Sequence, residues 1–439
     1  MCYNMDASPS NGLSIFSVET ALEIIKSAFS LINDYVADEP MAIIIPSFHE
    51  DLVVNVTELL VIQFSSFHSP NDENVEELIE MYVEEAMRDF YTFVSPKRSQ
   101  YSNAIYTRTD IIDSKLQYIN SIPFQDQRSD EWHEIRHSYL TASSIWKAFG
   151  SESSRNQLIF EKCSPFNKEK YSGMNTDSPM HWGQKYERIS KELYELEYST
   201  QVTEFGCIPH KNIKCIAASP DGINTLKVSP RYGRMIEIKN IVNRDIDGIP
   251  KLEYWIQMQL QMEVCDLDEC DFIETRFKEY ESELEFLLDS IPDEESLLET
   301  DFGLTKDGRK KGVIMQFLAL GQIKYEYAPF GITRAGLVKW EEAAMKKYID
   351  DVWVKTIYWH LDEFSCVLVM RNKLWFSHAE KIINDIWNTI TYEKIHGYAH
   401  RAPKKRNMVN KNISIRSEMT GCMIDLESLK MTDYNEDDV

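Results

Sequence analysis

At 439 residues the chain is longer than a usual single domain, and its 43% hydrophobic and 12% aromatic content is enough for a real core, which excludes global disorder. No stretch of about eighteen apolar residues occurs, and the first residues lack the basic-then-apolar order of a secretory signal, so the chain is expected to be soluble and intracellular, with no membrane partner. The net charge of −24 is segmental: residues 1–120 carry −13, 279–301 carry −10, 397–416 carry +6 and 417–439 carry −6, leaving −1 for the rest and removing the electrostatic objection to a nucleic-acid partner.

Residues 1–120 are expected to form an acidic, mostly helical module, because 18–37 and 75–94 place apolar residues at helical spacing with acids between them. Residues 41–48 between these helices read as either a short strand or a buried connector. From 121 to 396 the texture is mixed helix and strand. Residues 130–149, with Trp132, Ile135, Leu140, Ile145 and Phe149, fit two helices broken near Thr141. Trp182, Tyr186, Ile189, Leu193 and Leu196 mark an amphipathic helix. Residues 215–219 and 235–239 read as short strands with turn signals at Gly222 and 229–233. The run 254–262 alternates glutamine with apolar residues, which fits a strand, while Gln257 and Gln261 also stand i, i+4 on a helix. Residues 312–320 and 364–370 read as buried strands, 377–390 as a closing helix, and 397–439 as a basic-then-acidic flexible tail. The eight cysteines form no Cys-x-x-Cys pair and are expected to be reduced thiols, Cys265 and Cys270 included.

Chemistry concentrates between 180 and 264. Glu187 lies on the amphipathic helix, Asp221 in Ser219-Pro220-Asp221-Gly222, and Glu237 and Lys239 alternate onto one face of the strand that contains them. Phosphodiesters resist water, so a protein that cuts them holds divalent cations against the phosphate and supplies an activated hydroxide; a carboxylate cluster with one lysine is a minimal kit for that. The run Lys306-Asp307-Gly308-Arg309-Lys310-Lys311-Gly312 is a candidate rim for a basic groove, with a solvated turn as the plainer reading.

Together, residues 128–148, Trp182-Gly183-x-x-Tyr186-Glu187, Ser219-Pro220-Asp221-Gly222, Glu237-Ile238-Lys239 and Gln257-x-Gln259 resemble the phage lambda exonuclease family, also described as YqaJ-like viral recombinases. The resemblance covers about 128–395 and is strongest over 128–264. It implies an α/β, restriction-endonuclease-like core of the PD-(D/E)XK type, a central mixed sheet flanked by helices, here with an N-terminal helical extension. It implies that Asp221 and Glu237 ligate catalytic Mg2+, with Mn2+ able to substitute, that Glu187 completes the cluster, and that the Ile238 carbonyl is a further ligand. Lys239 then orients and helps deprotonate the attacking water, Gln257 steadies the site and favours a helix over 254–262, and Arg136, Thr141 and Ser143 form a pocket for a terminal 5′ phosphate. The plainer alternatives are Glu187 at a solvent-facing helix edge, Glu237 and Lys239 as an exposed cross-face ion pair, Arg136 paired with Glu134 or Asp130, Trp132 as a packing residue, and His133, His137 and His181 placed incidentally.

A long hairpin between Asp221 and Glu237, the acidic 279–301 stretch and residues 1–120 depart from the compact phage enzyme and resemble the enlarged versions of large DNA viruses, so the phage enzyme's trimeric ring and processivity by encirclement are not assumed. The resulting expectation is a Mg2+-dependent deoxyribonuclease, a 5′ to 3′ exonuclease on double-stranded DNA ends in viral DNA recombination, repair or replication, in host cytoplasm or nucleus. A single-strand annealing protein and a homo-oligomer are further partners it allows. The alternatives are an endonuclease or RNA-directed nuclease of the same fold, and a non-catalytic DNA-end-binding or scaffold protein; crowded carboxylates that repel one another without metal argue against the last.

Overall fold

Apolar residues three and four apart shape the N-terminal helices. In α1 (Val18–Asp38), capped by Ser17 Oγ accepting from the Thr20 N–H at 3.1 Å, Ile24, Ala28, Ile32 and Val36 are buried. Residues 41–48 resolve into a 3-10 turn, Ala42–Ile44, leading into α2 (Phe48–Gln63). Helix α2 is only weakly amphipathic, because Val54, Leu59 and Ile62 share its exposed side with Asp51, Asn55 and Glu58, opposite buried Leu52, Val56 and Leu60. Then come α3 (Val75–Phe93) and α4 (Thr109–Asn120). The computed structural model describes residues 16–64, 74–101, 109–123, 127, 129–167, 179–290, 302–319 and 321–403. Met1–Ala402 forms one compact unit; of the other, Pro403–Val439, all beyond Pro403 lies outside the described residues, the basic run 404–406 and the acidic end included. Just before it, Arg401 Nη2 bonds Glu393 Oε1 at 2.6 Å.

The α/β body begins with α5 (Asp130–His137), β1 (Leu140–Thr141) and α6 (Ala142–Phe149), so the helices break at Thr141. It continues through α7 (Glu152–Cys163), α8 (Pro179–Glu197), β2 (Val202–Thr203), β3 (Ile208–Pro209), β4 (Ile216–Ala218), β5 (Gly222–Asn224), β6 (Met235–Asn240) and α9 (Leu252–Cys265). After α9 come β7 (Glu269–Glu279), α10 (Glu283–Leu288), β8 (Lys311–Ala319), β9 (Gln322–Tyr327), α11 (Arg334–Lys347), β10 (Val352–Met370) and α12 (Lys373–His396). Seven strands form a mixed sheet in the order β2-β5-β6-β7-β10-β8-β9, and a smaller sheet has the order β1-β4-β3. Strands β6 and β7 run parallel, from Met235 opposite Cys270 to Asn240 opposite Thr275, and α9 supplies the crossover that parallel neighbours need. The 19-residue β10 pairs with β8 through Val352–His360 and with β7 through Trp359–Met370.

Helix α9 settles the ambiguous glutamine run. Trp255, Ile256, Met258, Leu260 and Met262 are buried, and the buried glutamines between them are hydrogen-bonded, as interior amides must be. Gln259 donates to the Met370 carbonyl at 2.9 Å and accepts from the Asn372 N–H at 2.6 Å, while Gln257 and Gln261 reach β6. One hydrophobic cluster runs from Ile24, Val83 and Phe90 in the N-terminal helices to Trp255 in α9 and Trp375 in α12. The described cysteines 163, 207, 215, 265, 270 and 366 are free thiols, and no helix among the described residues is long and apolar enough to cross a membrane.

Lys306 and Lys310 of the basic run are exposed, with 306–308 in a turn as the plainer reading has it, but Lys311 is not at a surface rim. Lys311 has no solvent exposure; its Nζ donates to the Asp289 carbonyl at 2.6 Å and the Ser290 hydroxyl at 2.8 Å, 4.2 Å from the Phe286 ring centre. The start of β8 pulls it inward, a placement local composition does not show.

The long hairpin between β5 and β6 is pinned by a buried ionic network. Arg231 Nη1 bonds Asp271 Oδ2, Arg234 Nη1 bonds Asp271 Oδ1 at 3.0 Å, Arg234 Nε bonds Glu269 at 2.7 Å, and the Tyr194 hydroxyl donates to Asp271 at 2.7 Å. From outside, Lys227 and Tyr232 of the hairpin bond Asp113 of α4. Removing one charge from a buried ion network strands its partners. Asp271→Asn is therefore expected to lower the urea-derived unfolding free energy by about 3–5 kcal/mol, whereas Glu192→Gln, in the exposed Arg188–Glu192 pair, changes it by less than about 0.5 kcal/mol.

Candidate active site

Strand β6 presents Glu237 and Lys239 on one face. The Glu237 side chain is 1% exposed, and three donors hold its carboxylate: Lys239 Nζ and Gln257 Nε2 (2.7 Å) on Oε1, and Gln261 Nε2 (2.7 Å) on Oε2. Gln257 and Gln261 reach one carboxylate because they stand four residues apart on α9. Lys239 Nζ also lies 4.8 Å from the Tyr254 ring centre.

Asp221 ends the turn after β4, and its Oδ2 accepts the Ile238 N–H at 2.7 Å, tying the turn to β6. Gly222 is required next to it, since a Cβ there would stand 2.2 Å from Val202 Cγ1 of the adjoining strand β2. Glu187 comes from α8, which Asn240, the residue after Lys239, joins to β6: its Nδ2 donates to the Gly183 carbonyl at 2.8 Å and its Oδ1 accepts from Ser190 and Thr275, each at 2.7 Å. Burial, Glu237 and Glu187 together hold the Asp221 carboxyl well above the usual aspartate range; the Lys239 ammonium and the Ile238 N–H oppose this only in part. Burial works against the Lys239 charge, but Glu237 and Asp221 outweigh it and raise the ammonium above the usual lysine range.

Glu187, Asp221, Glu237 and Lys239 thus interact around one region. Three carboxylates against one ammonium leave two negative charges uncompensated when all are ionised, and these hard oxygen donors suit a divalent cation. Among the described residues no three acidic, histidine or cysteine side chains stand in a ligating arrangement, since the Glu237 oxygens are turned to Lys239 and the two glutamines. The donor set fits a cation in its chemistry and in its charge deficit.

A second cluster adjoins the first. Arg136 Nη1 donates to Ser219 Oγ at 3.1 Å and Nη2 to Ser143 Oγ at 2.7 Å, with the guanidinium 4.3 Å from the Trp132 ring centre. Thr141 Oγ1 lies 3.0 Å from Ser144 Oγ and 3.4 Å from Ser143 Oγ, at the N-terminus of α6. Ser219 precedes Asp221 by two residues, so the turn after β4 joins the hydroxyl and guanidinium cluster to the acidic one. His137 Nε2 bonds the Ser164 carbonyl at 2.9 Å, and His181 bonds the Tyr325 hydroxyl. Reading by motif passed over Gln261, Asn240, Ser144 and Ser219 as site residues. Gln261 has a usable signal in its i, i+4 spacing from Gln257; Ser144 bonds Thr141 three residues before it, while Asn240 and Ser219 are joined to the site through residues distant in sequence.

Lys162, 8% exposed, supports the Arg136 turn from behind, donating to the carbonyls of Arg136 (2.9 Å) and His137 (3.4 Å). Burial, with the Arg136 charge adding to it, lowers its ammonium from 10.5 to about 8. Between these values the unfolded chain binds the extra proton, so the contribution of this site to stability is flat below pH 8 and rises with pH from 8 to 10.5. The unfolding free energy of the wild type relative to Lys162→Met is expected to climb across that window; parallel curves throughout would refute the lowered ammonium.

Residues 131–268 match the model of the YqaJ-like viral recombinase domain. The uncharacterized protein R354 of Acanthamoeba polyphaga mimivirus is 28% identical over 68% of this chain and 59% of its own length, and a protein of African swine fever virus is 29% identical over 30% of this chain and 44% of its own. The chain therefore spans less than two thirds of either relative. The crystal structure of an alkaline exonuclease, LHK-Exo, from Laribacter hongkongensis matches 61% of this chain and 95% of that one at 18% identity, with a TM-score of 0.35.

Proposed function

We propose that this chain, which has a YqaJ-like viral recombinase domain over residues 131–268, is a magnesium-dependent deoxyribonuclease that digests double-stranded DNA from 5′ ends and leaves 3′ single strands for recombination or repair. The observation behind this reading is the meeting, across Ser219 to Asp221, of a carboxylate and lysine cluster with an arginine and hydroxyl cluster. A cleavage centre and an anchor for a terminal phosphate need those two chemistries side by side.

Asp221 and Glu237, with Glu187, would hold the metal, which when bound supplies Lewis acidity at the phosphate and a water of lowered pKa. Lys239, kept protonated by Glu237 and Asp221, stabilises the negative charge that builds on the phosphoryl oxygens and orients the attacking water. Gln257 and Gln261 fix the Glu237 carboxylate, so its rotamer is set before substrate arrives. Arg136 offers two N–H arms beside the Ser143 and Ser219 hydroxyls, and the α6 N-terminus adds its partial positive charge: a set of fixed, charge-assisted donors for a 5′ phosphate.

Strand-labelled linear duplex with 5′-phosphate or 5′-hydroxyl ends, digested with Mg2+, tests this. The phosphorylated strand should shorten from its 5′ end about tenfold faster or more, since a charge-assisted contact is lost with the hydroxyl. Closed circular DNA and RNA should resist. Glu237→Gln and Lys239→Ala should each lower the rate about 1,000-fold while keeping wild-type circular dichroism, and Arg136→Gln should equalise the two ends. Undiminished digestion by Glu237→Gln would sink the mechanism.

A further inference from the structure

The segment after α3, residues 95–101, ties the N-terminal helices to the start of α9. Residues 241–251 lead from β6, just past Lys239, into that helix, and in the second half of this loop only Gly248 and Pro250 are buried. The segment touches both. Arg98 Nη2 donates to the Pro250 carbonyl at 2.6 Å. The Tyr101 hydroxyl donates to the Asp247 carbonyl at 3.4 Å and closes over Gly248, where φ is +76° and a Cβ would stand 1.9 Å from the Tyr101 oxygen. Pro250 precedes the N-cap residue Lys251, so its carbonyl lies outside the bonds within the helix, and the Lys251 side chain makes no capping bond of its own. Arg98 therefore supplies from outside the donor that a buried carbonyl needs. Burial works against the Arg98 charge, and Asp247 of the same loop opposes that effect.

The other end of the segment reaches α9 through α12. Asn372 Nδ2 donates to Ser95 Oγ at 2.7 Å, and the Asn372 N–H donates to Gln259 Oε1 at 2.6 Å. Between these ends Gln100 and Leu368 of β10 exchange both backbone bonds, at 2.9 and 2.8 Å. Helix α9 is thus gripped twice, by Asn372 on Gln259 and by Glu237 on Gln257 and Gln261. Tyr254 and Gln257 lie within about 8 Å of its first residue along the axis. Any displacement of that end is carried to Lys239, beside the Tyr254 ring, and to Glu237, which Gln257 holds. We infer that residues 95–101 form a strap that positions the cleavage centre, with Arg98 as its positioning residue: by holding the Pro250 carbonyl it fixes the start of α9, and through α9 the amides that orient the Glu237 carboxylate. The N-terminal helices are then a working part of the site. The kinetic consequence rests on the nuclease reading; the structural one does not.

Hydrogen–deuterium exchange of the full, metal-free chain tests the strap. Arg98→Met should speed exchange over residues 241–257 about tenfold, the effect of losing one bond from a charged donor, and leave α7 at the wild-type rate. Arg98→Lys, which keeps a charged donor for Pro250, should bring exchange back toward wild type, and Arg88→Gln, in the exposed Arg88–Glu85 pair of α3, should match wild type. In the digestion assay Arg98→Met should raise the half-saturating Mg2+ concentration about threefold or more, below the tenfold that a direct partner of a metal ligand commands, and keep the preference for 5′-phosphate ends. A chain that is only destabilised would digest more slowly at an unmoved Mg2+ midpoint. Unchanged exchange over 241–257 in Arg98→Met would overturn the strap, as would an increase shared by every segment or a wild-type Mg2+ midpoint in the active variant. Wild-type chain that digests no DNA would overturn the nuclease reading alone, with exchange still deciding the strap.

Discussion

A carboxylate at 1% exposure, Glu237, sets the terms for the rest of this structure. A buried charge persists only where donors surround it, and here they come from three positions: Lys239 on the same strand, and Gln257 and Gln261 on the helix that follows. That requirement aligns α9 with β6, and α9 is also the crossover that lets β7 run parallel to β6. The chain path and the polar site are therefore products of one constraint.

The same strand gathers the other acids. Asp221 is held to it by the Ile238 N–H and Glu187 by the Asn240 contacts with α8, so both carboxylates are brought toward Glu237 in spite of mutual repulsion. Rigid support is needed for that. The Arg231, Arg234 and Asp271 network braces the hairpin between Asp221 and Glu237 from beneath, and Asp113 of α4 holds its tip, which gives an N-terminal helix a part in shaping the region. Like-charged groups held together by the surrounding fold store an attraction for cations, and this is the physical basis for reading the cluster as catalytic rather than structural.

Where sequence reading stopped short, the reasons are specific. Helix α2 is hard to see in the sequence because Val54, Leu59 and Ile62 interrupt the exposed side that Asp51, Asn55 and Glu58 share, which blurs the amphipathic period. The first half of β10 mixes exposed apolar residues such as Val352 and Trp353 with polar ones, and its identity as strand depends on pairing with β8. Basic neighbours suggest a surface position for Lys311, but the carbonyl of Asp289 and the hydroxyl of Ser290 make an interior seat for it. The strand and the lysine have environments supplied by other parts of the chain, whereas the helix is obscured by its own exposed apolar residues.

From residue order alone came the mixed α/β class, the helix carrying Glu187, the break at Thr141, and the alternation that puts Glu237 beside Lys239, because these follow from periodicities of 3.6 and 2 within short windows. Tertiary structure decided that the run 254–262 is a helix, that two of its glutamines share one carboxylate, that Arg136 spans Ser143 and Ser219, and that Asn240 locks α8 to β6. Those outcomes rest on polar groups finding partners up to 113 residues apart, and a hydrogen bond across such a distance leaves no mark on local periodicity.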